Sequence, residues 1–125
     1  MKSKLPIIPS CLVKTRSDFE TRLEFCRRVS HSIQVDVADG RFVPSTTLPI
    51  SEWPKVDLEY SEAHLMVNRP IEYLDKVKAA GFVRALVHVE SFFDLEQLAL
   101  KAKEIDLLLG FVVNRHRFGG GQALS

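Results

Sequence analysis

The chain has 125 residues, of which 46% are hydrophobic and 26% charged, and its formal net charge is +1. This length and apolar content suit one globular domain and exclude a disordered chain. The near-zero charge argues against a nucleic-acid partner, which needs a basic excess on one face. The two cysteines are too few for a disulfide framework, and no apolar run reaches the ~18 residues of a membrane span. We therefore expect a cytoplasmic protein with no nucleic-acid or membrane partner.

Short apolar and β-branched runs predict five strands. They cover residues 5–8, 32–37, 63–67, 84–89 and 107–113. Because nearly every position in these runs is apolar, they are typical of strands buried on both faces, as in a parallel sheet.

Amphipathic stretches between these runs predict the helices. A capping box of Ser17 and Glu20 predicts the start of the first helix. A second helix is expected from Pro70 to Gly81, and Asp94 is the expected cap of a third. The apolar stripe of the third helix is predicted to face the core and consists of Leu95, Leu98, Ala99 and Ala102. Between residues 46 and 60 there is room for only one or two helical turns.

The alternation of strands and helices indicates a parallel α/β fold with right-handed crossovers. Two closures are compatible with it, an open doubly wound sheet and a (β/α)₈ barrel. A barrel normally needs about 200 residues or more, so about four and a half βα units would be an incomplete one. Periodicity alone does not choose between the two.

Polar residues gather near the predicted strand ends, where parallel α/β folds place their sites. They are Ser10, Gln34, Asp36, His64, Met66, His88, Glu90 and Asn114. Since residues two apart on a strand point the same way, Gln34 and Asp36 should share a face. A carboxylate and imidazoles from neighbouring strands could hold a divalent metal ion or move protons.

Structural roles compete with the functional ones at several of these positions. An unpaired strand carboxylate is costly to bury, which favours a functional role for Asp36. His64 is equally compatible with a hydrogen-bonded core histidine. His88 and Glu90 are expected mainly to form hydrogen bonds with each other or with the barrel rim. Met66 is expected mainly to pack, and Asp39 before Gly40 to form a turn.

Five segments together resemble one known family. They are IIPSCL, IQVDVADGRFVPSTT, AHLMVNRPIEYL, AAGFVRALVHVES and GFVVN. In this order and at this spacing they are similar to ribulose-phosphate 3-epimerase over residues 7–114. The resemblance implies a (β/α)₈ barrel of the ribulose-phosphate-binding type, incomplete here with five parallel strands. Residues 1–114 would form this partial barrel, and residues 115–125 a Gly-rich C-terminal tail.

The resemblance also implies a reaction and its residues. The family interconverts ribulose 5-phosphate and xylulose 5-phosphate in the pentose phosphate pathway by proton transfer at carbon 3, usually with one divalent metal ion (Zn, Fe, Mn or Co). Asp36 matches the carboxylate that binds metal and transfers the proton, and His64 matches a metal ligand that also meets substrate. Ser10 and Met66 match substrate contacts. The phosphate-binding loop of the family is similar to the segment with Gly119, Gly120 and Gly121.

Some positions depart from the family pattern. Gln34 stands where the family has a metal-ligand histidine, and an amide oxygen is a poor substitute for imidazole on zinc. The second catalytic aspartate of the family lies on a seventh strand, beyond the five predicted here. An impaired epimerase, a sugar-phosphate-binding fragment and an epimerase of a six-carbon ketose phosphate therefore stay open as alternatives.

A decarboxylase related to orotidine-phosphate decarboxylase is disfavoured, because Asp36 and Asp39 lack the lysine of its Asp-x-Lys-x-x-Asp array. A partial barrel would leave two strand edges and an inner face uncovered, which predicts a homodimer or a higher homo-oligomer.

Overall fold

The computed structural model describes residues 7–113, and these alternate between strands and helices. The elements are β1 (Ser10–Cys11), α1 (Arg16–Val29), β2 (Ser32–Ala38), a 3₁₀ turn (Ile50–Glu52), β3 (Tyr60–Met66), a second 3₁₀ turn (Pro70–Tyr73) that leads into α2 (Leu74–Ala79), β4 (Arg84–His88), α3 (Leu95–Glu104) and β5 (Leu108–Val112).

The five strands form one parallel sheet in the order β1-β2-β3-β4-β5. Each βα unit therefore adds its strand beside the previous one, always in the same direction. A doubly wound sheet reverses its strand order at a switch point, and this sheet does not. The sequential order confirms winding of the barrel type, here as an open sheet of five strands.

The hydrophobic core lies between the outer face of the sheet and the helices. Ile33 and Val35 of β2 are fully buried there, as is Phe19 of α1. Trp53 lies between Phe19 and Phe82, with ring centroids 5.7 and 5.0 Å away. The indole of Trp53 therefore fills the layer where the chain makes a single 3₁₀ turn, which confirms the short connection predicted between β2 and β3.

The first strand differs from the prediction. Of the strand predicted over residues 5–8, the first two residues lie outside the described part of the chain. Within it, β1 comprises Ser10–Cys11, and Ile7 and Ile8 are about half exposed. Pro9 explains the shift, because its nitrogen carries no hydrogen for a ladder bond. Its carbonyl accepts from the backbone N–H of Gln34 at 2.8 Å, and pairing starts one residue later.

One predicted helix start is wrong and another is confirmed. α1 begins at Arg16, because Thr15 is the extended residue before it and its hydroxyl accepts from the N–H of Asp18 at 3.1 Å. The predicted capping residue, Ser17, therefore already lies inside the helix. Asp94 caps α3 as predicted, accepting from the N–H of Gln97 at 3.0 Å.

Half of the apolar stripe predicted on α3 faces the core. Leu98 and Ala102 are buried, whereas Leu95 is 60% exposed and Ala99 is also exposed. The prediction is wrong for the last two because the core covers only one row of side chains on α3, at i and i+4, and leaves the flanking row exposed.

Among residues 7–113, no helix has both the length and the apolar character that crossing a membrane requires.

Candidate active site

The inner face of the sheet, opposite the helices, carries the polar side chains. On β2, the outward residues Ile33 and Val35 are fully buried, whereas the inward residues Gln34 and Asp36 are partly exposed. This alternation confirms that Gln34 and Asp36 share a face. Strand register then places each inward residue beside its counterpart on the next strand.

Asp36 and His64 are direct neighbours across the β2–β3 pair. Oδ1 of Asp36 lies 3.1 Å from Nδ1 of His64. Their side chains are 15% and 22% exposed, so both can be reached from the open side of the sheet. The structure thus brings together the two side chains that the sequence singled out for chemistry.

His64 also contacts a second histidine. Its Nε2 lies 2.8 Å from Nε2 of His88, at the end of β4. The ring centroids are 4.9 Å apart and the ring planes differ by 23°. That centroid separation is close to two ring radii plus the N···N distance, so the rings meet edge to edge with nitrogen pointing at nitrogen.

His88 is held in a largely buried setting. Its ring lies against Phe42, with centroids 5.0 Å apart, and its Nδ1 is 3.7 Å from Oε1 of Glu90. Burial lowers the pKa of His88, and the neighbouring charge of His64 lowers it further, while Glu90 partly opposes the shift. At 3.7 Å the contact with Glu90 is an ion-pair distance rather than the direct hydrogen bond considered from the sequence.

A second polar group lies next to this one on the inner face. Gln34, Glu62 and Arg84 stand side by side in the strand register. The amide of Gln34 donates to Oε2 of Glu62 at 2.6 Å, and the hydroxyl of Tyr60 donates to Oε1. Burial raises the pKa of Tyr60, and the hydrogen bond to Glu62 raises it further.

Sequence reasoning missed Glu62, although it is only 5% exposed and accepts both hydrogen bonds. A signal was present. Tyr60, Glu62 and His64 are polar at every second position of β3, which indicates one polar strand face. The predicted strand began at residue 63 and therefore omitted the first two.

The inner face of the described sheet offers few donors for a divalent metal ion. Asp36 and His64 supply two donors, but the amide nitrogen of Gln34 is bonded to Glu62 and both ring nitrogens of His64 face other side chains. Within residues 7–113, no three His, Cys, Asp or Glu side chains are grouped to hold a metal ion. The described residues therefore do not fit a complete metal site, which in proteins takes three or four such ligands.

The remaining predicted site residues have separate positions. Ser10 is exposed on β1, in register with Gln34 and not with Asp36. Met66 ends β3 and is partly buried, two residues beyond His64 on the same face. Asn114 and the three glycines Gly119, Gly120 and Gly121 lie outside the described residues, as does the tail of residues 115–125.

The loop after β2 is organised by Asp39. Its Oδ1 accepts from the N–H groups of Arg41 and Phe42 at 2.8 and 2.9 Å, and Oδ2 accepts from the N–H of Asn68 at 2.8 Å. Burial raises the pKa of Asp39, but these three donors outweigh it and the pKa is lowered. The turn predicted at Asp39 and Gly40 is confirmed, with Gly40 at a φ of +78°.

The loops after β3 and β4 are joined as well. The hydroxyl of Ser91 donates to the carbonyl of Val67 at 2.7 Å, and the N–H of Phe92 donates to the carbonyl of Asn68 at 2.8 Å. Because Asn68 also donates to Asp39, three successive loops at the carboxyl ends of the strands are tied together.

A cavity of about 1050 Å³ lies on the other side of the sheet, beside the short connection between β2 and β3. Trp53, Lys55 and Lys76 contribute to its wall. Asp36 and His64 do not line it, so the cavity is distinct from the polar face.

A sequentially wound parallel sheet with ionisable groups near the carboxyl ends of its strands defines a protein of the βα-barrel enzyme class. Comparison with known families assigns the chain to one family within this class. The model of the ribulose-phosphate 3 epimerase family matches residues 6–118. The chain belongs to that family of enzymes, as its motifs indicated.

Curated relatives agree with this assignment. The chain is 32% identical over 85 residues to ribulose-phosphate 3-epimerase of Aquifex aeolicus (strain VF5), covering 66% of this chain and 38% of the relative. Identity to the Bacillus subtilis (strain 168) enzyme of that name is 34% over 88 residues, covering 67% and 40%. For the Schizosaccharomyces pombe enzyme it is 30% over 112 residues, covering 83% and 49%. The chain thus spans two fifths to one half of the length of these relatives.

Proposed function

We propose that this chain carries part of a sugar-phosphate 3-epimerase site, in which Asp36 transfers a proton at carbon 3 of ribulose 5-phosphate. The observation that supports it most is the contact between Asp36 and His64 at 3.1 Å, on the open face of a sheet wound like the family's barrel. A carboxylate held beside an imidazole on a rigid strand pair is suited to general acid–base work.

The contact leaves one carboxylate oxygen for the substrate. Oδ1 of Asp36 faces His64, so Oδ2 is the atom that would meet the hydrogen on carbon 3. When Asp36 takes this proton, the C–H electron pair passes into an ene-diolate conjugated with the carbon 2 carbonyl. Return of the proton by Asp36 to the same face restores the substrate, and inversion requires an acid on the opposite face.

Proton exchange and epimerisation are therefore separate outcomes of this scheme, and in heavy water they give different products. Asp36 alone supports incorporation of deuterium at carbon 3 of ribulose 5-phosphate. Formation of xylulose 5-phosphate needs a second acid. No step in this scheme is assigned to a metal ion, because the described donors do not complete a site for one.

The test follows deuterium entry at carbon 3 by NMR, with the chain and ribulose 5-phosphate in heavy water, both with a chelator and with added Mn²⁺ or Zn²⁺. We expect exchange from the native sequence, its loss in Asp36→Asn and its retention in Asp75→Asn, a control on the exposed outer side. Exchange that survives Asp36→Asn contradicts the role of Asp36. Substrate that binds without exchange indicates the alternative of a sugar-phosphate-binding fragment.

Sugar length is tested in the same experiment. We propose the five-carbon substrate, and a parallel measurement with allulose 6-phosphate addresses the six-carbon alternative. Faster exchange with the longer sugar would overturn the proposed substrate while leaving the role of Asp36 intact.

We also propose that copies of the chain associate through the β5 edge. Three apolar side chains there are exposed, namely Leu108 (59%), Phe111 (44%) and Val113 (58%). β5 is also an outer strand of the described sheet, with backbone groups able to pair with a further strand. An apolar strand edge of this kind is a typical association surface.

A further inference from the structure

The cavity beside the short connection between β2 and β3 has a wall that the fold holds in place. Within this wall, the indole N–H of Trp53 donates to the carbonyl of Leu48 at 3.1 Å. The connection is also fastened to the end of β2, because the hydroxyl of Thr47 accepts from the N–H of Ala38 at 2.9 Å. A second group of lining residues comes from the segment 73–81, which contains α2. The cavity is therefore a fixed feature of the fold.

The interior of this cavity is largely apolar. Val37, Leu48, Ile50 and Trp53 line it, and each is at most 9% exposed. Its volume of about 1050 Å³ is typical of a large small-molecule pocket, and such pockets are mostly apolar with a few polar groups. A sugar would lose water from its hydroxyl groups against such a lining without gaining hydrogen bonds. The cavity instead suits a ligand with an aromatic or hydrocarbon body.

The charged residues that line the cavity leave a positive excess. They are Asp39, Lys55 and Lys76. The carboxylate of Asp39 already accepts three backbone hydrogen bonds. Lys55 and Lys76 are exposed, and neither ammonium group forms an ion pair with a carboxylate within residues 7–113. Two ammonium groups at the wall can therefore receive an anionic group.

One of these ammonium groups is also held at the wall. Nζ of Lys76 lies over the ring of Tyr73, 5.3 Å from the ring centroid, and both residues line the cavity. We propose that the cavity binds a small amphiphilic anion, whose apolar body packs against Trp53 and whose anionic group meets Lys55 and Lys76. This site is separate from the polar inner face of the sheet, so it does not rest on the proposed function.

The test uses the single tryptophan of the chain. Its indole N–H gives one recognisable signal in a ¹H–¹⁵N NMR spectrum and reports directly on the cavity. The probes are 4-phenylbutyrate, 4-phenylbutanol and 4-phenylbutylamine, which share one apolar body and end in a negative, a neutral and a positive group. We expect them to shift the signals of the Trp53 indole and the Gly81 amide, with roughly fivefold tighter binding of the carboxylate than of the alcohol and weakest binding of the amine. Added salt should reduce these differences.

Substitutions of lysine separate the charge from the apolar contact. Lys55→Gln and Lys76→Gln should each weaken binding of 4-phenylbutyrate about twofold to fivefold and leave binding of 4-phenylbutanol unchanged. Lys103→Gln on α3 is the matched control and should alter neither affinity. All three side chains are exposed, so we expect the variants to fold like the native chain.

Several results would overturn the proposal. One is the absence of any shift of the Trp53 indole signal at millimolar 4-phenylbutyrate, including the case in which only signals on β5, such as that of Gly110, respond. Another is equal affinity for the carboxylate and the alcohol. Displacement of 4-phenylbutyrate by ribulose 5-phosphate would also overturn it, because the cavity would then belong to the sugar-phosphate site.

Discussion

The side-chain amide of Gln34 donates a 2.6 Å hydrogen bond to Oε2 of Glu62, its neighbour across the β2–β3 pair. Glu62 is nearly fully buried, so this bond and the one from Tyr60 compensate the burial of its charge. Gln34 thereby belongs to a structural group on the inner face, although Asp36 is only two residues away on the same strand face. We therefore expect the residue type at position 34 to determine whether its side chain bonds to Glu62 or contacts Asp36 and His64.

Replacement of Gln34 by histidine should create a third donor next to Asp36 and His64. We expect Gln34→His to bind Zn²⁺ roughly tenfold or more tightly than the native chain, because imidazole is a far better zinc ligand than an amide. Competition with a coloured chelator measures this affinity without any enzyme assay. Gln34→Leu is the matched control and should show no gain. Equal affinities of Gln34→His and the native chain would contradict the prediction.

Loss of the Asp39 charge should loosen the loops beside the site. Asp39 accepts three backbone hydrogen bonds, and Asn has only one side-chain oxygen with which to replace two. We expect Asp39→Asn to lower the free energy of unfolding by about 1–3 kcal/mol. Urea denaturation measures the change, and Glu24→Gln on the exposed side of α1 should leave stability almost unaltered.

The same residue predicts a dependence of stability on pH. The pKa of Asp39 is lower in the folded chain than its usual 3.8, so the unfolded chain binds its proton first as the pH falls. The stabilisation from Asp39 is therefore complete above 3.8 and is lost as the pH drops through the folded-state pKa. The difference in stability between the native chain and Asp39→Asn should shrink across that window. A difference that stays constant down to pH ~2 would contradict this linkage.

Two glycines with positive φ allow the stability cost of backbone strain to be distinguished from the cost of steric contact. A Cβ at Gly40 would lie 2.9 Å from Cγ2 of Thr46, whereas one at Gly81 would meet nothing within 4 Å. Both alanine variants should lose about 1 kcal/mol from the left-handed backbone alone. Gly40→Ala should lose more than Gly81→Ala in thermal or urea unfolding. Equal losses would show that Thr46 moves aside at no cost.

Association through β5 is tested by a charge on its edge. Phe111→Lys should shift the native oligomer toward monomer at micromolar concentration, because a buried unpaired ammonium is costly. Phe25 is also exposed but lies on α1, so Phe25→Lys should leave the oligomer intact. Light scattering after size-exclusion chromatography gives the masses. A native chain that is monomeric would rule out the proposed association.

Secondary structure could be predicted from the sequence where the local sequence pattern and the tertiary environment favour the same element. Asp94 was identified correctly as a helix cap, and the parallel strands follow from their apolar runs. The start of α1 was misplaced because Thr15 and Ser17 are both good capping residues, and only the backbone geometry selects Thr15. Leu95 was wrongly predicted to face the core. Helical periodicity identifies the apolar face of a helix, but it does not show how much of that face other elements cover.

The positions of the candidate site residues could be predicted from the sequence, but their hydrogen bonds could not. Asp36 and His64 were selected from strand position, and register makes them neighbours. The sequence favoured Glu90 as the partner of His88, whereas the structure shows its closest hydrogen bond to be with His64. Partners on different strands depend on register and side-chain rotamer, which periodicity along one strand does not determine.

The hydrogen bonds from Asn68 to Asp39, and from Ser91 and Phe92 to the segment around Asn68, have a thermodynamic consequence for ligand binding. Loops that are already fastened to one another lose little conformational entropy when a ligand arrives. Affinity at this rim should then depend on direct contacts with the ligand, with a small entropic penalty from the chain. A phosphorylated sugar would meet a rim whose shape is set before binding.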